Sequence, residues 1–310
     1  MKVLVTCPPM IGIKPNLGDE FKRVGIEPHF ADVVQTLTEA ELIGLVPEFD
    51  GWIIGDDPAT RKVFSAGKQG RLKAAVKWGV GVDNVDFEAC KDLGIPVTNT
   101  PAMFGQEVAD IAIGYLIGLA RHTFRIDREV RAGGWPKYRG VSLSGKTVGL
   151  VGCGDIGFQI LRRLDVLGCE VIVYDPYVDP EKISGFNARR MEFSKGIEEC
   201  DFIVLACALT PENRHMLNDG VLSACKRGVR VINVSRGPLI EQRALVAHLE
   251  SGQVAGAALD VFETEPLDDK QLRSFENCIF GSHNGSNTEE AVFRTSIIAI
   301  EKLCGGLGLG

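Results

Sequence analysis

KTVGLVGCGDIGFQILRRLDVLGCEVIVYDP, residues 146–176, runs through a strand, a glycine turn, a helix and a second strand without interruption. The apolar run 148–151 enters Gly152, Gly154 and Gly157. Ile160, Leu161, Leu164 and Leu167 then recur at helical spacing, and the apolar run 171–174 ends at Asp175. Each glycine answers a steric demand. Gly152 permits the tight turn out of the strand, Gly154 lets the backbone approach a pyrophosphate, and Gly157 lets the helix pack close to the strand. The amides at the start of that helix then face the phosphates.

A lone G-x-G-x-x-G occurs in many loops, but here the strand, the helix, the second strand and its terminal acid all accompany it, so the unit reads as dinucleotide-binding. Asp175 is placed to accept hydrogen bonds from a ribose diol, and its charge would repel a 2′-phosphate. Pro176 and Tyr177 offer no compensating cation, so NAD is expected rather than NADP.

The 310 residues suggest about two domains, and 45% hydrophobic content is enough for ordinary cores. A net charge of −7 disfavours nucleic acid or an anionic membrane as the main partner. The nine cysteines contain no C-x-x-C pair, and several lie in apolar runs, so reduced, buried thiols are expected and no metal site. Cys153, inside the glycine turn, is the thiol whose oxidation could block a cofactor. The N-terminus, MKVLVTCPP, reads as a strand entering a turn and not as a signal peptide, and the apolar stretch 108–120 is too short to span a bilayer. A cytoplasmic location is expected.

Apolar runs at 3–5, 52–54, 72–76 and 95–97 precede the glycine turn, and others follow it at 202–206, 229–234, 255–261 and 278–280. Helical patterns alternate with them, including a capping box at Thr38 and Glu41, a helix over 86–93 closed by Gly94, and one over 239–249. The alternation predicts an α/β fold of two Rossmann-like, doubly wound parallel sheets. Residues 297–303 read as a last helix with no domain behind it, so the tail returns to the N-terminal unit. Residues 1–98 plus 287–310 are therefore expected to form a substrate domain, split by an inserted dinucleotide domain over 99–286.

Ligands of open parallel sheets bind beyond the carboxyl ends of the strands. Arg236 follows VRVINVS, Asp260 and Glu265 lie at and beyond the end of AGAALDVF, and His283 follows CIFGS. Each alone suits an ordinary surface loop. Together they supply a guanidinium for a carboxylate, an imidazole for a proton, and an acid to orient the imidazole.

At these residues the sequence resembles the D-isomer-specific 2-hydroxyacid dehydrogenase family, and within it the phosphoglycerate dehydrogenase branch. The resemblance runs from about residue 50 to 303, through WGVGVDNVD (78–86), the VAD helix (108–110), VGLVGCGDIG, LTPENRHMLN (209–218), NVSRGPLI (233–240), GAALDVFETEP (256–266) and SHNGSNTEEA (282–291). It implies that Arg236, Glu265 and His283 are the catalytic arginine, glutamate and histidine. It also implies cofactor contacts at Gly152, Gly154, Asp155, Ile156, Gly157, Asp175, Cys207, Val234, Ser235, Arg236, Asp260, His283, Gly285 and Ser286. Val80 and Gly81 match the turn whose amides hold the substrate carboxylate, beside Arg236 and His283.

The resemblance further implies a homodimer with the 108–121 helix at its interface, and NAD-dependent hydride transfer at C2 of a small D-2-hydroxy acid. The pair 3-phosphoglycerate and 3-phosphohydroxypyruvate comes first, with hydroxypyruvate or glyoxylate reduction as the competitor. Some family members instead act as NAD(H)-sensing corepressors. The chain departs from the phosphoglycerate branch after GWII, where an arginine is replaced by Gly55-Asp56-Asp57, and after Pro101, where Ala102-Met103-Phe104-Gly105 replaces an asparagine-rich turn. The family's Pro-His is here Ser282-His283. Lys137 and Arg139 could supply cations from a neighbouring subunit. No regulatory domain is expected after residue 310.

Overall fold

The computed structural model describes residues 1–309, which form two compact units: Met1–Met103 together with the chain from Asn287 onward, and Phe104–Ser286. The first unit is built on a five-stranded sheet of β1 (Lys2–Val5), β2 (Glu27–Phe30), β3 (Gly51–Ile54), β4 (Ala74–Lys77) and β5 (Val97–Asn99), in the order β2-β1-β3-β4-β5. All pairings are parallel. Every residue of β3 and β4 is buried, as expected where helices cover both faces of a parallel sheet.

Local sequence sets the ends of several helices. Thr38 and Glu41 form the reciprocal capping box, with Thr38 N donating to Glu41 Oε2 at 2.8 Å and Glu41 N to Thr38 Oγ1 at 3.3 Å. Asp86 caps the helix Phe87–Leu93, which Gly94 closes in the left-handed conformation with φ 63°. The last helix is longer than the sequence suggests, Glu289–Leu307, because Thr288 Oγ1 accepts from Ala291 N at 3.2 Å and starts it earlier. It lies on β3 and β4, with Leu303 against Gly51. Two edge strands escaped the sequence reading: β2 carries Pro28 and alternates between half-buried and exposed, so it lacks an apolar run.

The second unit has seven parallel strands: β6 (Thr147–Val151), β7 (Glu170–Tyr174), β8 (Ala188–Arg190), β9 (Phe202–Leu205), β10 (Val229–Asn233), β11 (Val254–Leu259) and β12 (Ile279–Phe280). Their order is β12-β11-β10-β9-β6-β7-β8, so the chain leaves β6 to one side for β7 and returns to its other side with β9. That reversal is the switch point where a doubly wound sheet opens a crevice. β8, the other unforeseen edge strand, is mostly exposed and ends in Arg189 and Arg190.

The chain first passes between units at Met103–Phe104, a little beyond the expected residue 98. Asn99 still pairs with Lys77 in the first sheet, and Thr100 Oγ1 accepts from Gly79 N at 2.8 Å. Among the described residues, no helix is long and apolar enough to cross a membrane.

Candidate active site

The glycine turn leaves the carboxyl end of β6. Gly152 has φ +87°, and a Cβ there would lie 2.6 Å from the backbone of Cys207, which follows β9. A Cβ on Gly157 would lie 2.0 Å from Gly152 O, so only glycine lets the helix Asp155–Val166 start directly on the turn. Gly154 faces open space. The amides of the first turn of that helix, at Asp155, Ile156 and Gly157, have no carbonyl of their own helix to bond. The Asp155 side chain packs on Gly105, where a Cβ would meet Oδ1 at 2.6 Å.

Asp175, at the end of β7, ties this turn together. Its Oδ2 accepts from Cys153 N at 2.7 Å, and its Oδ1 accepts from Tyr177 N at 2.8 Å and Val178 N at 3.2 Å. A carboxylate oxygen accepts more than one hydrogen bond, so Oδ2 retains capacity for a ribose hydroxyl. Burial pushes the thiols of Cys153 and Cys207 up to about 11, and both remain protonated at neutral pH. A close turn, a bare glycine, helix-start amides and a strand-end acid together fit a dinucleotide.

His283 and Glu265 meet directly. His283 Nδ1 lies 2.8 Å from Glu265 Oε2, and Glu265 Oε1 accepts from Phe262 N at 3.0 Å, so the acid is fixed from both sides. Their side chains are 23% and 21% exposed, open enough to meet a ligand. His283 has φ 55°, and its N–H donates to Asp260 O at 2.7 Å. The buried Asp260 holds the rest of this loop: Oδ1 accepts from Asn284 N and from Tyr115 Oη, each at 3.2 Å, and Oδ2 from Gly285 N at 2.8 Å. Burial and the Asp260 charge push the Tyr115 phenol up, which keeps it a donor. Asp260, expected among the cofactor contacts, holds the backbone of the His283 loop and Tyr115 with its two oxygens. Gly285 is buried in that loop, and Ser286 follows it half-buried.

Arg236 lies beyond β10 in a loop shaped by buried Asn233, whose Nδ2 donates to Arg236 O at 2.8 Å and whose Oδ1 accepts from Ser235 N at 3.0 Å. Ser235 Oγ bonds to Cys207 O, Val234 N donates to Leu205 O at 3.3 Å, and Arg236 Nη1 donates to Ser235 O at 2.9 Å. A Cβ on Gly237 would fall 1.9 Å from the carbonyl of Phe262. The arginine loop therefore lies flat on the segment that carries Glu265. Arg236, Glu265 and His283 share one end of the sheet, with the Gly152 and Cys207 turns beside them.

The first unit presents the turn around Val80 and Gly81. Gly79 has φ 123°, and Asn99 Nδ2 donates to Val80 O at 3.2 Å, which leaves Val80 exposed at the surface of the turn. Below it, buried Lys77 donates from Nζ to Asp56 Oδ1 and to Trp78 O, both at 3.0 Å. Gly55 has no room for a side chain, since a Cβ would lie 2.7 Å from Thr6 O. Asp57 is buried with Thr6 Oγ1, Gly55 N and Leu37 N donating to it, and burial pushes its carboxyl up.

The family model described as D-isomer specific 2-hydroxyacid dehydrogenase, NAD binding domain, matches residues 113–285, more than half of the chain. The chain belongs to the D-isomer-specific 2-hydroxyacid dehydrogenase family. Its second unit is the family's NAD-binding domain. A D-3-phosphoglycerate dehydrogenase of Synechocystis is 35% identical over 94% of this chain and 53% of its own length. A hydroxypyruvate reductase of Thermotoga maritima is 36% identical over 88% of this chain and 90% of its own. The apo structure of D-lactate dehydrogenase from Escherichia coli superposes with a TM-score of 0.84 at 30% identity, covering 98% of this chain and 96% of that one. The chain spans about half the length of the curated phosphoglycerate dehydrogenases it matches.

Within this dehydrogenase fold, sequence reasoning passed over Asn233, whose side chain shapes the Arg236 loop, and a second histidine-glutamate pair, His215 with Glu263. Both lie inside motifs that carry the family resemblance, NVSRGPLI, LTPENRHMLN and GAALDVFETEP. Asn233 acts on the backbone only two and three residues ahead, within the motif itself, whereas His215 and Glu263 lie 48 positions apart and are joined only by folding.

Proposed function

We propose that this protein is an NAD-dependent dehydrogenase that interconverts a small D-2-hydroxy acid and its 2-oxo acid. The observation that carries the proposal is the His283–Glu265 pair, held at 2.8 Å beside a dinucleotide turn. Bound NAD supplies a hydride acceptor at its nicotinamide ring, and NADH the corresponding donor. The planar guanidinium of Arg236 suits a two-pronged hydrogen bond to the substrate carboxylate, which orients C2. The Val80 and Gly81 amides are assigned to the same carboxylate.

Glu265 holds Nδ1, so the proton is exchanged through His283 Nε2. In oxidation, Nε2 takes the C2 hydroxyl proton as the C2–H electron pair departs and the carbonyl forms; in reduction it returns the proton. The Glu265 carboxylate holds the imidazole in orientation for that exchange. Asp175 disfavours a 2′-phosphate and so directs the site to NAD.

The first substrate reading is 3-phosphoglycerate and 3-phosphohydroxypyruvate, supported by the phosphoglycerate dehydrogenase relatives. A specific feature favours hydroxypyruvate or glyoxylate as the second: Gly55 stands where the phosphoglycerate branch carries arginine, and the cation of Lys77 is bonded to Asp56. Lys137 and Arg139 of a neighbouring subunit would supply the phosphate's cations under the first reading. A homodimer through the helix Gly105–Arg121 is part of the proposal. So is a cytoplasmic location, in keeping with nine unpaired cysteines.

The test is NADH consumption with 3-phosphohydroxypyruvate, hydroxypyruvate, glyoxylate and bulkier 2-oxo acids. Preference for the phosphorylated acid supports the first reading and preference for hydroxypyruvate the second. Tight NADH binding with no turnover on any of them would replace the enzyme by an NAD(H) sensor.

A further inference from the structure

Two histidine-glutamate pairs, His215 with Glu263 and His283 with Glu265, draw their acids from one short segment. Glu263 accepts from the His215 ring, and two residues later Glu265 holds His283. His215 also reaches the other side of the site. Its backbone N–H donates to Pro238 O at 2.8 Å, and Leu217 N donates to Leu239 O at 3.0 Å, just past Arg236. Asn218 Nδ2 donates to His215 O at 3.2 Å, which helps to hold the backbone at φ 54°. Gly237 closes the arrangement by letting the arginine loop lie against the Phe262 carbonyl.

We propose that His215 is a positioning residue: its ring fixes Glu263 and thereby the loop that presents Glu265 to His283, while its backbone fixes the loop of Arg236. The inference rests on the proposed roles of Arg236, Glu265 and His283. The His215 and Glu263 side chains are 36% and 27% exposed, and a polar contact so open to solvent adds little to stability. Its effect is therefore geometric. Removing the ring releases Glu263 but leaves the His215 N–H on Pro238, so Glu265 loses its setting while Arg236 keeps its own. Turnover falls and substrate affinity does not.

Wild type, His215→Ala, His215→Gln, Glu263→Ala and the double variant His215→Ala/Glu263→Ala are compared in NADH oxidation with a 2-oxo acid that the wild type reduces. The two single alanine variants are expected to lower kcat about tenfold with KM within about twofold, since a misplacement of about 1 Å can cost up to ~10²-fold in rate. The double variant is expected to be no slower than either single one, because the two residues act through one contact. His215→Gln, whose side-chain amide can still donate to Glu263, restores most of the rate. Unchanged kcat in the single variants, additive losses, or a KM defect of the same size as the kcat defect would overturn the inference. Amide hydrogen exchange of the free protein supplies a readout that needs no substrate: faster exchange at Phe262 N, which donates to Glu265 Oε1, is expected in His215→Ala and not in His215→Gln. If the wild type reduces no 2-oxo acid, the functional reading fails, and the exchange result still decides whether His215 sets the Glu265 loop.

Discussion

His283 works from a ring fixed at one nitrogen. Glu265 holds Nδ1 at 2.8 Å, so His283→Ala removes the proposed proton carrier and leaves the dinucleotide turn intact. Turnover is expected to fall by roughly 10²- to 10⁴-fold with NADH affinity unchanged by fluorescence titration; full turnover in the variant would remove His283 from the chemistry. Arg236→Lys keeps the charge and loses the planar fork, so the substrate KM rises while the NADH dissociation constant stays put. Equal losses in both would contradict that division of labour. On this proposal Asp175 has two duties, since the carboxylate proposed for the ribose also accepts from Cys153 N at 2.7 Å. Asp175→Ala is therefore expected to weaken NAD binding more than it relaxes the preference against NADP, as competitive titration of the two cofactors would reveal.

The elements around these residues differ in how plainly the sequence announces them. The glycine turn was legible because its requirements are local: three glycines, a strand before, a helix after. Arg236, Glu265 and His283 were legible as polar groups at the ends of apolar runs. β2 and β8 were not, since an edge strand with Pro28 or with Arg189 and Arg190 lacks the apolar run that marks a buried one. The part played by Asp260 was hidden for another reason, because its partners Tyr115, Asn284 and Gly285 are joined to it only by folding. Gly281 makes that loop testable. A Cβ there would lie 2.0 Å from Asp260 Oδ1 and 2.4 Å from Tyr115 Oη, so Gly281→Ala must push a buried carboxylate off the His283 loop. The expected cost is about 1–3 kcal/mol in thermal or urea unfolding, accompanied by loss of turnover. Unaltered melting would show that the loop yields without Asp260.

At the scale of the whole molecule, the first unit is assembled from two stretches of chain that the second unit separates. The helix Glu289–Leu307 buries Val292, Ile300, Leu303 and Leu307, and by area these side chains contribute about 8 kcal/mol. A domain's entire net stability is about 5–15 kcal/mol. Removing the chain from residue 287 onward is therefore expected to unfold the first unit, seen as rapid proteolysis within residues 1–103, while 104–286 stays resistant and still binds NADH. Resistance of both units would show that β1 to β5 need no cover from that helix. The same arrangement sets an order of events during synthesis. The strands β1 to β5 leave the ribosome before the dinucleotide unit, but the helix that covers β3 and β4 leaves after it, so the dinucleotide unit has all of its own chain in hand while the earlier unit still waits. Of the two units, the one begun earlier is completed later, and until then its apolar strands depend on chaperones or on partial collapse to stay out of aggregates.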